Sequence, residues 1–482
     1  MTILQTLKSY PPDIQSVFDS QLATALRCRT SNAAERIARI KKLRSALLAQ
    51  RDALYAAFWQ DMHKSPSEVE ATELLHIMDE MRHAIGSIKS WMKTRSVWPT
   101  MTTLGTRGSV QMQSKGRVLI IAPWNYPLSL CMGPLISALS AGNTVILKPS
   151  EMTPAVSGVM AKIVNEVFAK NEVALFEGAL ETSQTLLSLP FDHIFFTGSP
   201  AVGKVVMTAA AKHLCSVTLE LGGKSPTIVD ASADIAMTAQ SVMWGKFINN
   251  GQTCIAPDYV YVHESVKSEF LQACKTAISQ FYGDTSDKLK NNPDLTRIVN
   301  SRHAERVNAL LTDATQRGAK IIVGGETDIS TNFIAPTLLG DIPPDAKIMQ
   351  EEIFGPLLPI ISYTDINQVI ASINAEPKPL ALYIYSRDNS VVGQVLGQTS
   401  SGGACVNHCL LHFAHGNLPF GGVNNSGIGS AHGLYGFKAF SHERAVLKGT
   451  WLRTIKMFFP PYTAGRQKMI RQTVDMLRLP KL

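Results

Sequence analysis

Arg117-Val118-Leu119-Ile120-Ile121-Ala122-Pro123-Trp124-Asn125-Tyr126-Pro127 is the stretch that decides the fold. Its first six residues are an apolar, largely branched run of strand length, and two prolines then bracket a rigid turn. The same grammar recurs downstream. Asn143–Leu147 and His193–Phe196 read as further buried strands, with amphipathic helices predicted at about 128–141, 153–170 and 201–212. Strands alternating with helices make βαβ units and a parallel sheet, which binds ligands at the carboxyl ends of its strands. A second α/β region is expected from Gly222 to about Gly421, with strands at Tyr259–Val262, Lys320–Val323, Leu357–Ile361 and Leu380–Ile384. Upstream, Ala33–Tyr55 and Glu68–Trp91 have helical periodicity and no evident chemistry.

With 482 residues the chain exceeds one compact core and divides into two or three domains. Its composition, 45% hydrophobic and 17% charged, is that of an ordinary soluble globular protein. No run approaches the roughly 20 apolar residues of a membrane span, and Met1–Tyr10 lacks a signal-peptide core. A cytoplasmic chain is expected, or one attached to a membrane from the cytosolic face. Seven scattered cysteines argue for reduced thiols rather than a disulfide framework. The net charge of +8 is concentrated from Lys448 onward, where eight basic residues face one acid, Asp475. The body is therefore nearly neutral, which excludes a nucleic-acid-binding core. Beyond Pro460–Pro461, Ile470, Val474 and Leu477 recur at helical spacing among Arg and Lys, and Trp451, Leu452, Ile455, Phe458 and Phe459 precede them. Such a basic amphipathic tail suits the surface of an anionic membrane, the partner subunit or the substrate mouth.

Four motifs carry candidate chemistry. Cys254 in Gly251-Gln252-Thr253-Cys254 sits in a small-residue loop that suits a reactive thiol, though a lone cysteine is more often a small buried hydrophobe. Glu220 closes an apolar run before two glycines, where desolvation would tune it as a general base, although the local sequence favours an ion pair with Lys224 at the strand-to-loop junction. Asn125 presents an amide donor of the kind an oxyanion needs, or simply forms the turn. Phe196-Thr197-Gly198-Ser199-Pro200-Ala201-Val202-Gly203 follows a strand and opens a helix, where phosphate oxygens could approach the helix N-terminus.

Taken together, seven blocks stand in one order: PWNYP at 123, KPSE at 148, FTGS at 196, ELGGKSP at 220, GQTC at 251, EEIFGP at 351 and LPFGGVNNSGIG at 418. In order and spacing the sequence resembles the aldehyde dehydrogenase superfamily over roughly residues 30–445. The form GQTCIAPDY and the SHER segment at 441–444 resemble its class 3 branch, which includes fatty and aromatic aldehyde dehydrogenases. The resemblance implies the family's α/β fold: a Rossmann-like NAD(P)-binding domain (1–98 and 114–220), an α/β catalytic domain (221–424) and a small β oligomerisation arm (99–113 and 425–450). The basic tail (451–482) follows, and a homodimer is expected.

The resemblance also implies roles. Cys254 would attack an aldehyde, medium- or long-chain aliphatic or aromatic, and Asn125 with the Cys254 N–H would hold the oxyanion. Glu220 would activate the water that hydrolyses the thioester. For the cofactor, Lys148 and Glu151 match adenosine-ribose contacts and Ser199 the pyrophosphate contact, with Trp124, Gly198, Val202, Gly203 and Leu221 around them. Glu352 matches the nicotinamide-ribose contact, and Phe354 the residue beside the ring. A carboxylate at Glu151 favours NAD, with NADP also accepted. Two readings compete: a CoA-acylating dehydrogenase, and a non-catalytic protein on the same fold. Asn250 and Asn424 depart from the class 3 pattern, which has small residues there. Cys405, His408, Cys409, His412 and His415 match no zinc spacing, and no metal is expected.

Overall fold

The computed structural model describes residues 12–450 and 454–477. The run at 117 forms the strand Arg117–Ile121 at the middle of a six-stranded sheet. Val118, Leu119 and Ile120 are fully buried, so truncating one to alanine would cost about 2–5 kcal/mol. Thr144–Lys148 and then Val173–Leu175 lie on one side of it; His193–Thr197, Ser216–Glu220 and Gly427–Ile428 lie on the other. The first five of these six strands in sequence run parallel, and Gly427–Ile428 closes the edge antiparallel to Ser216–Glu220.

The order in which strands are added reverses at the central strand, between its parallel neighbours at 144–148 and 193–197. A parallel sheet binds ligands at that switch point because the two following loops diverge there. The register is level: Ile121 pairs with both Lys148 and Phe196, and Thr197 pairs with Glu220. The PWNYP, KPSE, FTGS and ELGGKSP blocks therefore leave the sheet from one edge.

A second, seven-stranded sheet has the order 320–323, 337–340, 357–363, 259–263, 226–229, 381–385, 403–406, parallel except for the first strand. A third, antiparallel sheet joins Arg95–Val97, Thr106–Ser114 and Ser441–Gly449.

The helical first hundred residues differ from the periodicity in three places, the first being Gln50, where the stretch Ala33–Tyr55 breaks into the helices Ala33–Ala49 and Arg51–Met62. Pro12–Arg29 forms an additional helix whose Ile14, Val17 and Phe18 pack under the six-stranded sheet. The stretch read as one helix over Glu68–Trp91 contains a π-helical turn at Glu70–Leu74. That turn brings Glu68 and Glu73 toward one buried cation, a tertiary requirement that helical periodicity does not encode.

Candidate active site

The helix Ile235–Phe247 ends in a tight loop that carries the GQTC block. Asn249 (φ +52°), Asn250 (φ +51°) and Gly251 (φ +74°) are successive left-handed residues. Asparagine tolerates that conformation better than other side-chained residues, which accounts for Asn250, and Asn424 (φ +55°) follows the same rule. A Cβ on Gly251 would collide with the Gly355 carbonyl, so that position admits only glycine. Gln252 is saturated: its Nε2 donates to the Asn249 and Arg297 carbonyls at 3.0 Å, and its Oε1 accepts from the Val299 N–H at 2.9 Å.

The turn after the central strand docks on this loop. Asn125 Nδ2 donates to the Gln252 carbonyl at 2.9 Å, and Asn249 Nδ2 donates to the Asn125 carbonyl at 2.8 Å. The Tyr126 and Thr253 hydroxyls share a hydrogen bond of 2.7 Å. Asn125 is thus buried and braced beside the partly exposed Cys254.

Glu220 is buried, and neither carboxylate oxygen makes a hydrogen bond. Lys224 is not its partner. That ammonium pairs with Asp258 and donates to the Ile348 and Glu351 carbonyls. Burial alone pushes the Glu220 carboxyl well above the usual range. Burial likewise raises the Cys254 thiol, with the Glu352 and Glu220 carboxylates adding to it.

Two cavities meet at these groups. A cleft of about 230 Å³ is lined by Trp124, Asn125, Gly198, Ser199, Leu221, Gly222, Glu352 and Phe354, among others. A chamber of about 30 Å³ on the other side is walled by Pro134, Phe413 and Phe420 with His76, Glu80 and His432. Leu130, Thr197, Glu220 and Cys254 line both.

The cleft fits a dinucleotide. Ser199 caps the helix Pro200–Ala211, its Oγ accepting from the Val202 N–H at 3.4 Å, and the helix N-terminus offers an anion site. A Cβ on Gly203 would meet Leu221 at 2.8 Å, and one on Gly222 would overlap the Glu352 carboxylate, so these glycines permit the close packing. Lys148 Nζ bonds Glu151 Oε2 at 2.8 Å. Partial burial works against ionising Glu151, but Lys148 outweighs it and holds the carboxyl below its usual range. Burial and then Asp258 push Glu352 up to about 8. Phe354 (φ +47°) lies edge-on to Trp124 at 5.3 Å.

The structure also places groups that no local pattern marked. His303 lies 5.0 Å from the Trp124 ring, and Arg306 donates to the Glu352 carbonyl at 3.3 Å. Both come from a helix, Ser301–Gln316, whose sequence shows only an amphipathic face. In the chamber, His432 donates to Glu80 at 3.2 Å. Burial opposes ionising Glu80, but His432, His76 and the Gly433 N–H outweigh it and bring its pKa to about 2. Of the cluster at 405–415, Cys405 and His412 meet at 3.2 Å, while Cys409 turns to the Ser241 carbonyl.

Residues 2–446 match the model of the aldehyde dehydrogenase family. The chain is 42% identical over 444 residues to the 4,4'-diaponeurosporen-aldehyde dehydrogenase of Staphylococcus aureus, covering 92% of this chain and 95% of that one. It is 41% identical to mouse aldehyde dehydrogenase family 3 member A2, covering 89% and 88%. Among solved structures, the substrate-bound state of Staphylococcus aureus AldH aligns with a TM-score of 0.91 at 41% identity, over 96% of this chain and 99% of that one. With a buried carboxylate and a thiol at the meeting point of a dinucleotide cleft and a second chamber, and with this match along nearly its whole length, the chain belongs to the aldehyde dehydrogenase family.

Proposed function

We propose that this chain oxidises an apolar aldehyde, medium- or long-chain aliphatic or aromatic, to the carboxylic acid, with Cys254 as nucleophile, Asn125 as oxyanion donor and Glu220 as base. The observation that carries the reading is that Glu220 and Cys254 line both cavities, so an aldehyde carbonyl reaching them from one side would meet a cofactor held on the other. Members of the family use NAD or NADP. Trp124, Gly198, Ser199, Val202, Gly203 and Leu221 would hold its pyrophosphate end, Lys148 and Glu151 the adenosine ribose, and Glu352 with Phe354 the nicotinamide end.

Cys254 releases its proton to solvent in the cleft as its sulfur bonds the carbonyl carbon, while the Asn125 amide and the Cys254 N–H receive the charge that the C=O electron pair places on oxygen. The bound cofactor supplies the hydride acceptor, and loss of hydride leaves an acyl thioester on Cys254. Glu220 takes a proton from water as its oxygen adds to that thioester, and the C–S bond breaks to release the acid. The unpaired Glu220 suits this role, since no cation neutralises its basicity. Release of the acyl group to CoA would not use that base, and product analysis with and without CoA separates the two. Cys254→Ala should produce no NADH with any aldehyde; retained turnover would refute the scheme.

The three domains given above are proposed to correspond to the three sheets, with Gly427–Ile428 crossing to the six-stranded sheet and Arg95–Val97 to the antiparallel one. A homodimer in the cytoplasm is proposed from the class 3 likeness. The described tail supports peripheral membrane contact: Ala464–Met476 is helical, Tyr462, Val474, Met476 and Leu477 are exposed, and Arg466, Lys468 and Arg471 lie among them. No described helix is long and apolar enough to cross a membrane. Trp451 and Leu452 lie outside the described residues.

A further inference from the structure

Behind the nucleophile loop lies a group of charges that the proposed chemistry does not use. Lys64 is fully buried, with Glu68 at 3.9 Å, Glu73 at 3.8 Å and the ring of Tyr126 at 4.3 Å. Its Nζ makes no hydrogen bond, and neither does Glu73 Oε1. One buried ammonium shared by a buried carboxylate, Glu73, and a part-buried one, Glu68, is an expensive arrangement, and apolar side chains of similar volume would often pack as stably. Its other contacts indicate a purpose. Glu68 Oε1 accepts the N–H of Asn249 at 2.7 Å, and Glu68 Oε2 accepts the Thr296 hydroxyl at 2.9 Å. Glu73 Oε2 accepts the Ser129 N–H at 2.7 Å, at the start of the helix that follows PWNYP.

We infer that Glu68, oriented by Lys64 and Thr296, is a positioning residue that holds the nucleophile loop in register with the oxyanion donor. Asn249 is the first of the three left-handed residues before Cys254, and its amide bonds both the Asn125 and the Gln252 carbonyls. Asn125 in turn bonds the Gln252 carbonyl. The carboxylate of Glu68 is therefore one hydrogen bond from the strained turn and two from Asn125. The π-helical turn Glu70–Leu74 lets Glu68 and Glu73, five residues apart, both reach Lys64. Lys64 and Glu73 tie the same unit to Tyr126, inside Asn125's own block, and to Ser129, two residues beyond it.

The inference rests on Cys254 and Asn125 acting as proposed, and the test separates the two. Glu68→Leu keeps the shape but removes the acceptor; Glu68→Gln keeps an acceptor for the Asn249 N–H and removes the charge. The readout is the pre-steady-state NADH burst of the full chain with a soluble aldehyde. Glu68→Leu should slow the burst about 10- to 100-fold, the scale of a small misplacement of reacting groups, with burst amplitude and the KM for NAD unchanged. Glu68→Gln should recover most of the rate. A residue that merely stabilised the fold would lower the amplitude instead. A burst at the parent rate in Glu68→Leu, or equal slowing in Glu68→Gln, would overturn the inference. If Glu68→Leu does not fold, Thr296→Val decides, since it frees only one carboxylate oxygen: a slowed burst supports the inference and the parent rate overturns it. A burst surviving Cys254→Ala would instead refute the underlying mechanism.

Discussion

Asn125 Nδ2 sits 2.9 Å from the carbonyl of Gln252, two residues before the cysteine it is proposed to serve. One amide hydrogen is thereby committed to the nucleophile loop, which fixes the side chain and leaves the second N–H for the substrate oxygen. Asn125→Ala should slow the NADH burst by about 10²–10³, the usual loss of an oxyanion donor, while KM for NAD stays put. A burst unchanged in stopped-flow traces would remove Asn125 from the mechanism.

Glu220 links activity to pH. Its carboxyl is raised by burial, so at pH values between the unfolded-state value and the raised one the folded enzyme holds a proton that the unfolded chain has lost. Stability from this group is full below the unfolded value and falls as pH rises through the folded one, whereas base catalysis demands the ionised form. Turnover should therefore climb with pH as melting temperature declines. Glu220→Gln should produce one burst with poor turnover, and its Tm advantage over the parent should widen from pH 5 to pH 9. A Tm difference independent of pH would show that the carboxyl does not titrate as its burial requires.

Cofactor choice should follow Glu151. The carboxylate, held ionised by Lys148 at 2.8 Å, would hydrogen-bond a free 2′-hydroxyl and repel a 2′-phosphate. NAD is expected to be preferred, and Glu151→Gln should raise the NADP-to-NAD ratio of kcat/KM about tenfold, equivalent to about 1.4 kcal/mol. An unaltered ratio would place the discrimination elsewhere.

The tail is testable without touching the site. The full chain should sediment with phosphatidylserine vesicles at low salt and lose that binding as salt rises, each basic residue near the surface contributing about 1 kcal/mol. Removing residues 451–482 should abolish sedimentation and leave kcat/KM for a water-soluble aldehyde unchanged. Equal sedimentation of the truncated protein would dismiss the membrane reading.

Local patterns in the sequence determined more of the fold than of the site. The runs at 117, 144, 193, 259, 320, 357 and 381 form strands where apolar length and bounding turns placed them, because a buried strand's hydrophobic run and its punctuation are local properties. The small-residue loop at Gly251 was legible as close-packed, whereas the Gly355 and Glu352 atoms that exclude a Cβ at Gly251 and Gly222 come from the tertiary fold. The two long strands Thr106–Ser114 and Ser441–Gly449 had no such signature: they are half exposed and pair across more than three hundred residues. The resemblance, not periodicity, indicated that an arm lies there.

Only the tertiary structure decided who faces whom. Lys224 was as good a partner for Glu220 as any by sequence, yet sheet geometry sends it to Asp258 and leaves Glu220 bare. Glu68 and Glu73 lay in a helical stretch without evident chemistry and Lys64 preceded it, yet burial and a π turn join the three to Asn249. His76, Glu80 and His432, from opposite ends of the chain, share one chamber wall. The physical reason is common to all three. Burial and the level register of parallel strands set the neighbours of a charged group, and neither is a function of the residues adjacent to it in sequence.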